Sequence, residues 1–95
     1  MKNLITSPEI LKKLQGKHDV TLREVEQCFE SVCGTYLTDT RENHRTDPPT
    51  LWFVAPTNTG RMLKVIFIYR EGSIYLKSAY NATAEIQSMY ARHAK

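Results

Sequence analysis

Two runs rich in apolar and β-branched residues, Met62 to Tyr69 and Ser73 to Ala79, stand on either side of Arg70-Glu71-Gly72. Nothing else in the chain constrains its fold as much. Runs of this length bounded by turn residues read as strands, and a two-residue Glu71-Gly72 link predicts an antiparallel hairpin. If Arg70 pairs with Ser73, then Phe67 faces Leu76, Ile66 faces Lys77 and Val65 faces Ser78. Side chains alternate along a strand, so Leu63, Val65, Phe67 and Tyr69 share one face with Ile74, Leu76, Ser78 and Tyr80. Lys64, Ile66 and Ile68 share the other with Tyr75, Lys77 and Ala79, which brings two lysines and a tyrosine together. Cations beside an aromatic can neutralise phosphate and stack a base, the combination used to hold single-stranded RNA. The bland alternative is a half-exposed sheet with lysines on its wet face. Arg61, after Gly60, opens the first run; its planar fork suits a phosphate, and it can equally pair with Asp39 or Glu42.

Two more strands precede this hairpin. Leu51 to Ala55 is apolar enough for a central strand and is joined to the next across Pro56-Thr57-Asn58-Thr59-Gly60. Thr35 to Thr40 reads as an edge strand, separated by the polar stretch Arg41 to Asp47 and by Pro48-Pro49, which no central strand tolerates. Trp52 and Phe53 are adjacent and point to opposite faces, so both faces of the sheet are expected to carry core. His44, between Arg41 and Arg45 in reach, is the one imidazole in a basic polar loop and a candidate general base, or a surface histidine with no task.

Before Gly34 the periodicity is helical. Ser7-Pro8-Glu9 starts a helix with a capping hydroxyl, a proline where no amide is needed and an acid at the positive end. Ile10, Leu11 and Leu14 line it, and Gly16 is placed to end it. Thr21-Leu22-Arg23-Glu24 fits a capping box for a second helix with Leu22, Val25, Phe29 and Val32 on one stripe, closed by Gly34. Thr83 caps a last helix through Ile86, Met89, Tyr90 and His93. The expected order is ααββββα: an α+β domain with two N-terminal helices, a four-stranded antiparallel sheet and a C-terminal helix.

At 95 residues the chain builds one core, which excludes an enzyme with separate cofactor and substrate lobes. It carries five basic and five acidic residues up to Gly34, then eight and five from Thr35, so the whole +3 excess lies in the strand-rich part. Cys28 and Cys33 lack zinc-ligand spacing, and no Walker loop, G-x-G-x-x-G or H-E-x-x-H occurs, so neither metal nor cofactor is expected. Cys28, beside Phe29, reads as a small buried hydrophobe. No run approaches the roughly 20 apolar residues of a membrane span, and Met1 to Leu11 lacks a signal-peptide core, so a cytoplasmic location is expected.

Several segments resemble, in order and spacing, the BrnT family, the toxin half of bacterial type II toxin–antitoxin pairs with a RelE-like fold. They are Lys17-His18 with Val20, the helix Leu22 to Phe29, Asp39 with His44, Gly60-Arg61-Met62-Leu63-Lys64-Val65, Ser78-Ala79, Ala82-Thr83 and Tyr90. The resemblance spans about Ile10 to Tyr90. It implies a metal-independent ribonuclease that arrests translation, with RNA as substrate and a cognate antitoxin, usually a ribbon-helix-helix protein, as partner. In that scheme Arg61 with Lys64 or Lys77 stabilises phosphate charge, and His44 or Tyr80 moves the protons of a 2′-hydroxyl attack. Tyr80 stands where the family usually shows an arginine, and Ile86 where it shows an acid, with Glu85 one place early. A non-catalytic RNA- or protein-binding module of the same fold is the alternative. An exposed apolar patch for an antitoxin is expected around Ile66, Ile68 or the last helix.

Overall fold

Local capping chemistry sets all three helices. The computed structural model describes residues 3–40 and 48–94, in which β1 (Leu4–Ile5) leads into α1 (Pro8–Lys17) and α2 (Leu22–Ser31). β2 (Leu37–Thr38), β3 (Thr50–Pro56), β4 (Met62–Arg70), β5 (Ser73–Asn81) and α3 (Ala84–His93) follow. The Ser7 hydroxyl accepts from the Ile10 amide at 3.2 Å and the Thr83 hydroxyl from the Ile86 amide at 3.2 Å. At α2 the capping box is reciprocal: the Glu24 amide donates to Thr21 Oγ1 at 3.1 Å, and the Thr21 amide to Glu24 Oε1 at 3.0 Å. Gly16 does not end α1, which runs through it to Lys17; the left-handed turn falls on Asp19, at φ 51°. Gly34 likewise does not close α2, which ends at Ser31 because Val32 is already extended.

The strands form one α+β sheet in the order β1-β5-β4-β3-β2. This corrects the expected four-stranded antiparallel sheet: β1 pairs parallel with β5, giving five strands and a mixed sheet. Leu4-Ile5 is too short to show a period in sequence, and its place depends on pairing, with the Ile74 amide donating to the Asn3 carbonyl at 2.8 Å. Of the segment Thr35 to Thr40, only Leu37–Thr38 is strand.

The β4–β5 hairpin turns on Glu71 at φ 50° and Gly72 at φ 80°, the two positive φ values of a type I′ turn. Near the turn the register is the expected one, with Arg70 opposite Ser73 and Phe67 opposite Leu76. Beyond Phe67 it is not. Ile66 pairs with Ser78, Val65 with Ala79 and Lys64 with Tyr80, so Lys77 is the extra residue of a bulge and does not meet Ile66. One inserted residue inverts every facing that follows. Ala79 thereby turns into the core and Tyr80 turns out beside Lys64, the reverse of the simple alternation. Without the bulge Ser78 would stand opposite Val65 and Tyr80 opposite the wholly buried Leu63, where a tyrosine ring would have to be accommodated.

The core lies between the sheet and the first two helices. Phe53, Leu63, Val65 and Phe67 are wholly buried. Phe29 of α2 meets Phe53 and Phe67 edge-on, with ring centroids 4.8 and 5.3 Å away. Such burial contributes roughly 1.5–3 kcal/mol for each large apolar side chain. On the opposite face α3 packs over Trp52, whose ring lies 5.8 Å from that of Tyr90, so Trp52 and Phe53 do bury on opposite sides. Ile66 and Ile68 are each only 8% exposed and offer no apolar patch, contrary to expectation. Met89 on α3 is exposed. Among the described residues, no helix is long and apolar enough to cross a membrane.

Candidate functional site

The bulge decides which polar residues gather. Tyr80, turned outward, stands opposite Lys64 in the ladder, and the Lys64 ammonium lies 5.9 Å from the Tyr80 ring centroid. The same ammonium sits 4.6 Å over the Trp52 ring, within the reach of a cation–π contact. Lys64 is buried, its stem laid along these rings. On the other side of Tyr80, the His18 ring approaches to 5.4 Å, tilted by 44°.

Lys17, His18, Tyr80 and Asn81 line a shallow hollow of about 360 Å³. A second hollow of about 560 Å³, with Lys64, Trp52, Asp39 and His93 in its wall, lies on the α3 side of Lys64. Lys64 lines one hollow and its ladder partner Tyr80 the other, so cations and rings follow one another along a strip from Lys17 to Lys64. Chemically, this strip can hold a phosphate at Lys17 and present Tyr80 and His18 to a planar base.

The other candidates fall elsewhere. Lys77 is exposed and lines a separate depression with Thr6, Glu9 and Tyr75, at the β1–α1 corner. It therefore does not converge with Lys64. His44 lies outside the described residues. Arg61 precedes β4 and turns toward the helices, where it pairs with Glu24 rather than Asp39, its Nη1 lying 3.3 Å from the carboxylate, while Glu42, the other expected partner, lies outside the described residues. Its Nε donates to Asn81 Oδ1 at 2.7 Å, Nη1 to the Asp19 carbonyl at 2.6 Å and Nη2 to the His18 carbonyl at 2.9 Å. Glu24 is held below the usual carboxylate range, chiefly by the Thr21 amide and further by Arg61, against the opposing effect of burial.

Cys28 donates from Sγ to the Ala55 carbonyl at 3.3 Å, and burial pushes its thiol up to about 12. That is the environment of a structural cysteine, not a nucleophile. Among the described residues, no group of three His, Cys, Asp or Glu side chains is placed to hold a metal ion. In the sequence His18 stands out only through the Lys17-His18 pair of the BrnT resemblance. It caps α1, and its ring also meets Tyr80; the missing signal was the bulge.

Fold and site together define a small α+β domain in which cationic and aromatic side chains run from the exposed Lys17 at the end of α1 to the buried Lys64 on the sheet. In comparison with known proteins, no family model matches the chain and no curated protein matches it.

Proposed function

We propose that the chain binds single-stranded RNA along the strip from Lys17 through His18 and Tyr80 to Lys64, as a small cytoplasmic module of toxin–antitoxin type. The observation that supports this best is the hollow in which Lys17, His18, Tyr80 and Asn81 meet. It offers a cation for phosphate, two rings for a base and an amide for its edge. Two of the four, Lys17 and His18, also open the BrnT resemblance, and Tyr80 stands at its arginine position.

One observation favours a second reading, a metal-independent RelE-like ribonuclease toxin held inactive by a cognate antitoxin. An imidazole and a phenol, both able to exchange protons, stand with ring centroids 5.4 Å apart beside Lys17. Arg61 does not enter either reading as a phosphate contact, since its guanidinium is engaged with Glu24, Asn81 and two backbone carbonyls.

The test is to titrate the purified chain into a labelled single-stranded RNA oligonucleotide at low and high salt, in chelator, following anisotropy and then running the RNA on a gel. Salt-sensitive binding with intact RNA, weakened by Tyr80→Ala, supports the module. Cut RNA ending in a cyclic phosphate, with the oligonucleotide of 2′-deoxy sugars left whole, selects the toxin. Absence of binding at low salt ends both.

A further inference from the structure

We infer that Arg61 is the positioning residue of the Lys17–His18–Tyr80–Asn81 hollow: it fixes the two walls against each other and does not itself touch ligand. One wall is the α1–α2 turn carrying His18; the other is the end of β5 carrying Tyr80 and Asn81. Among the described residues, Arg61 is the side chain that bonds to both. Its Nη2 and Nη1 hold the carbonyls of His18 and Asp19 at 2.9 and 2.6 Å, while Nε holds the Asn81 side chain at 2.7 Å. Glu24 Oε1 and Oε2, each 3.3 Å from Nη1, fix the guanidinium from below. With Nε, Nη1 and Nη2 all engaged, the fork faces inward.

The turn needs such a tie. Asp19 has φ 51°, a left-handed conformation that is uncommon outside glycine and that aspartate tolerates better than most residues. The carbonyls of residues 18 and 19 end a helix and begin a turn, so they have few partners within the backbone, and the guanidinium satisfies both. Glu24 is in turn fixed by the capping box, through its bond from the Thr21 amide at 3.0 Å. The sequence element that starts α2 therefore also sets the angle at which His18 meets Tyr80. A lysine cannot reproduce this arrangement, because one ammonium cannot reach acceptors spread around a planar fork.

The binding arm of the test rests on the RNA reading above; the structural arm does not. Arg61→Lys keeps the charge and removes the fork. In the free chain, the His18 ring-proton resonances, assigned by their loss in His18→Gln, are followed by NMR because the nearby Tyr80 ring current displaces them. Arg61→Lys is expected to move them toward free-imidazole positions. Its affinity for a single-stranded RNA oligonucleotide is expected to fall roughly tenfold, the size of one lost charged hydrogen bond, with no change in salt slope. Unmoved His18 resonances overturn the inference, as does undiminished RNA affinity, which is what a simple phosphate contact replaced by lysine gives. If the wild-type chain binds no RNA, the RNA reading fails and the resonances alone decide. Should Arg61→Lys not fold, Glu24→Gln loosens the same guanidinium more gently; a smaller His18 shift in the same direction is expected, and none at all overturns the inference.

Discussion

Gly34 and Tyr90 stand so close that a Cβ on the glycine would lie 2.7 Å from the Tyr90 hydroxyl, and equally 2.7 Å from the Ala94 carbonyl. The contact is part of the seam that docks α3: Tyr90 donates to the Thr35 carbonyl at 2.9 Å, and the Thr35 amide to the Ala94 carbonyl at 3.1 Å. Gly34→Ala must push this seam apart, since the obstructing atoms include backbone. It is expected to destabilise the fold by about 1–3 kcal/mol, seen as a lower midpoint in urea. Trp52, the single tryptophan, packs against Tyr90, so its native-state fluorescence is expected to change with the same substitution. An unchanged midpoint and emission would mean that α3 is not docked through this seam.

Acid should loosen the start of α2. The Thr21 amide and Arg61 hold the folded-state pKa of Glu24 below the usual 4.5. A depressed carboxylate contributes stability above its unfolded value, and the contribution is lost as pH falls through the folded one. Wild type is therefore expected to exceed Glu24→Gln in melting temperature at pH 7. The gap should close as pH drops below 4.5. Thermal melts of both proteins from pH 7 to pH 3 check this; a gap that stays constant shows that the ionised carboxylate is not what matters.

The two thiols should react very differently. Cys33 is exposed and Cys28 buried, with the Cys28 thiol raised to about 12 by desolvation. At pH 8 an aromatic disulfide reagent is expected to label Cys33 quickly and Cys28 only after denaturant is added. Rapid labelling of Cys28 in the native protein, read by peptide mass, would show that α2 opens from the sheet near Ala55.

What was legible in the sequence is what local chemistry decides. Ser7, Thr21 and Thr83 announce their helices because a capping hydroxyl acts within three residues, and Glu71-Gly72 announces its turn because positive φ is a property of those positions. The bulge at Lys77 was not legible. It follows from whether Ala79 or Ser78 stands opposite Val65, and Tyr80 opposite Lys64 or the buried Leu63, a packing choice made across the sheet. The candidate site inherits that limit: alternation groups Lys77 with Lys64, but it stops at Phe67, and the bulge sets Tyr80 opposite Lys64 instead. Arg61 shows a second limit. The fork that suits a phosphate suits carbonyls and a carboxylate as well, and its partners Glu24 and Asn81 lie far away along the chain.

Lys17 and Lys77 separate the register read from sequence from the one observed. Simple alternation puts Lys77 on the strip proposed to bind RNA, whereas the bulge sends it to the β1–α1 corner and leaves Lys17 beside Tyr80. Each phosphate contact on a single strand adds about 0.7 to the slope of log affinity against log salt. Lys17→Gln is expected to weaken RNA binding and to lower that slope by about 0.7. Lys77→Gln, which removes the same charge from the same small domain, is expected to leave the slope unchanged and to reduce affinity only through net charge. Salt titrations of the two variants under one protocol make the comparison direct. The opposite result, with the slope lost at Lys77 and kept at Lys17, would move the RNA path to the β1–α1 corner and remove the hollow at Tyr80 from it.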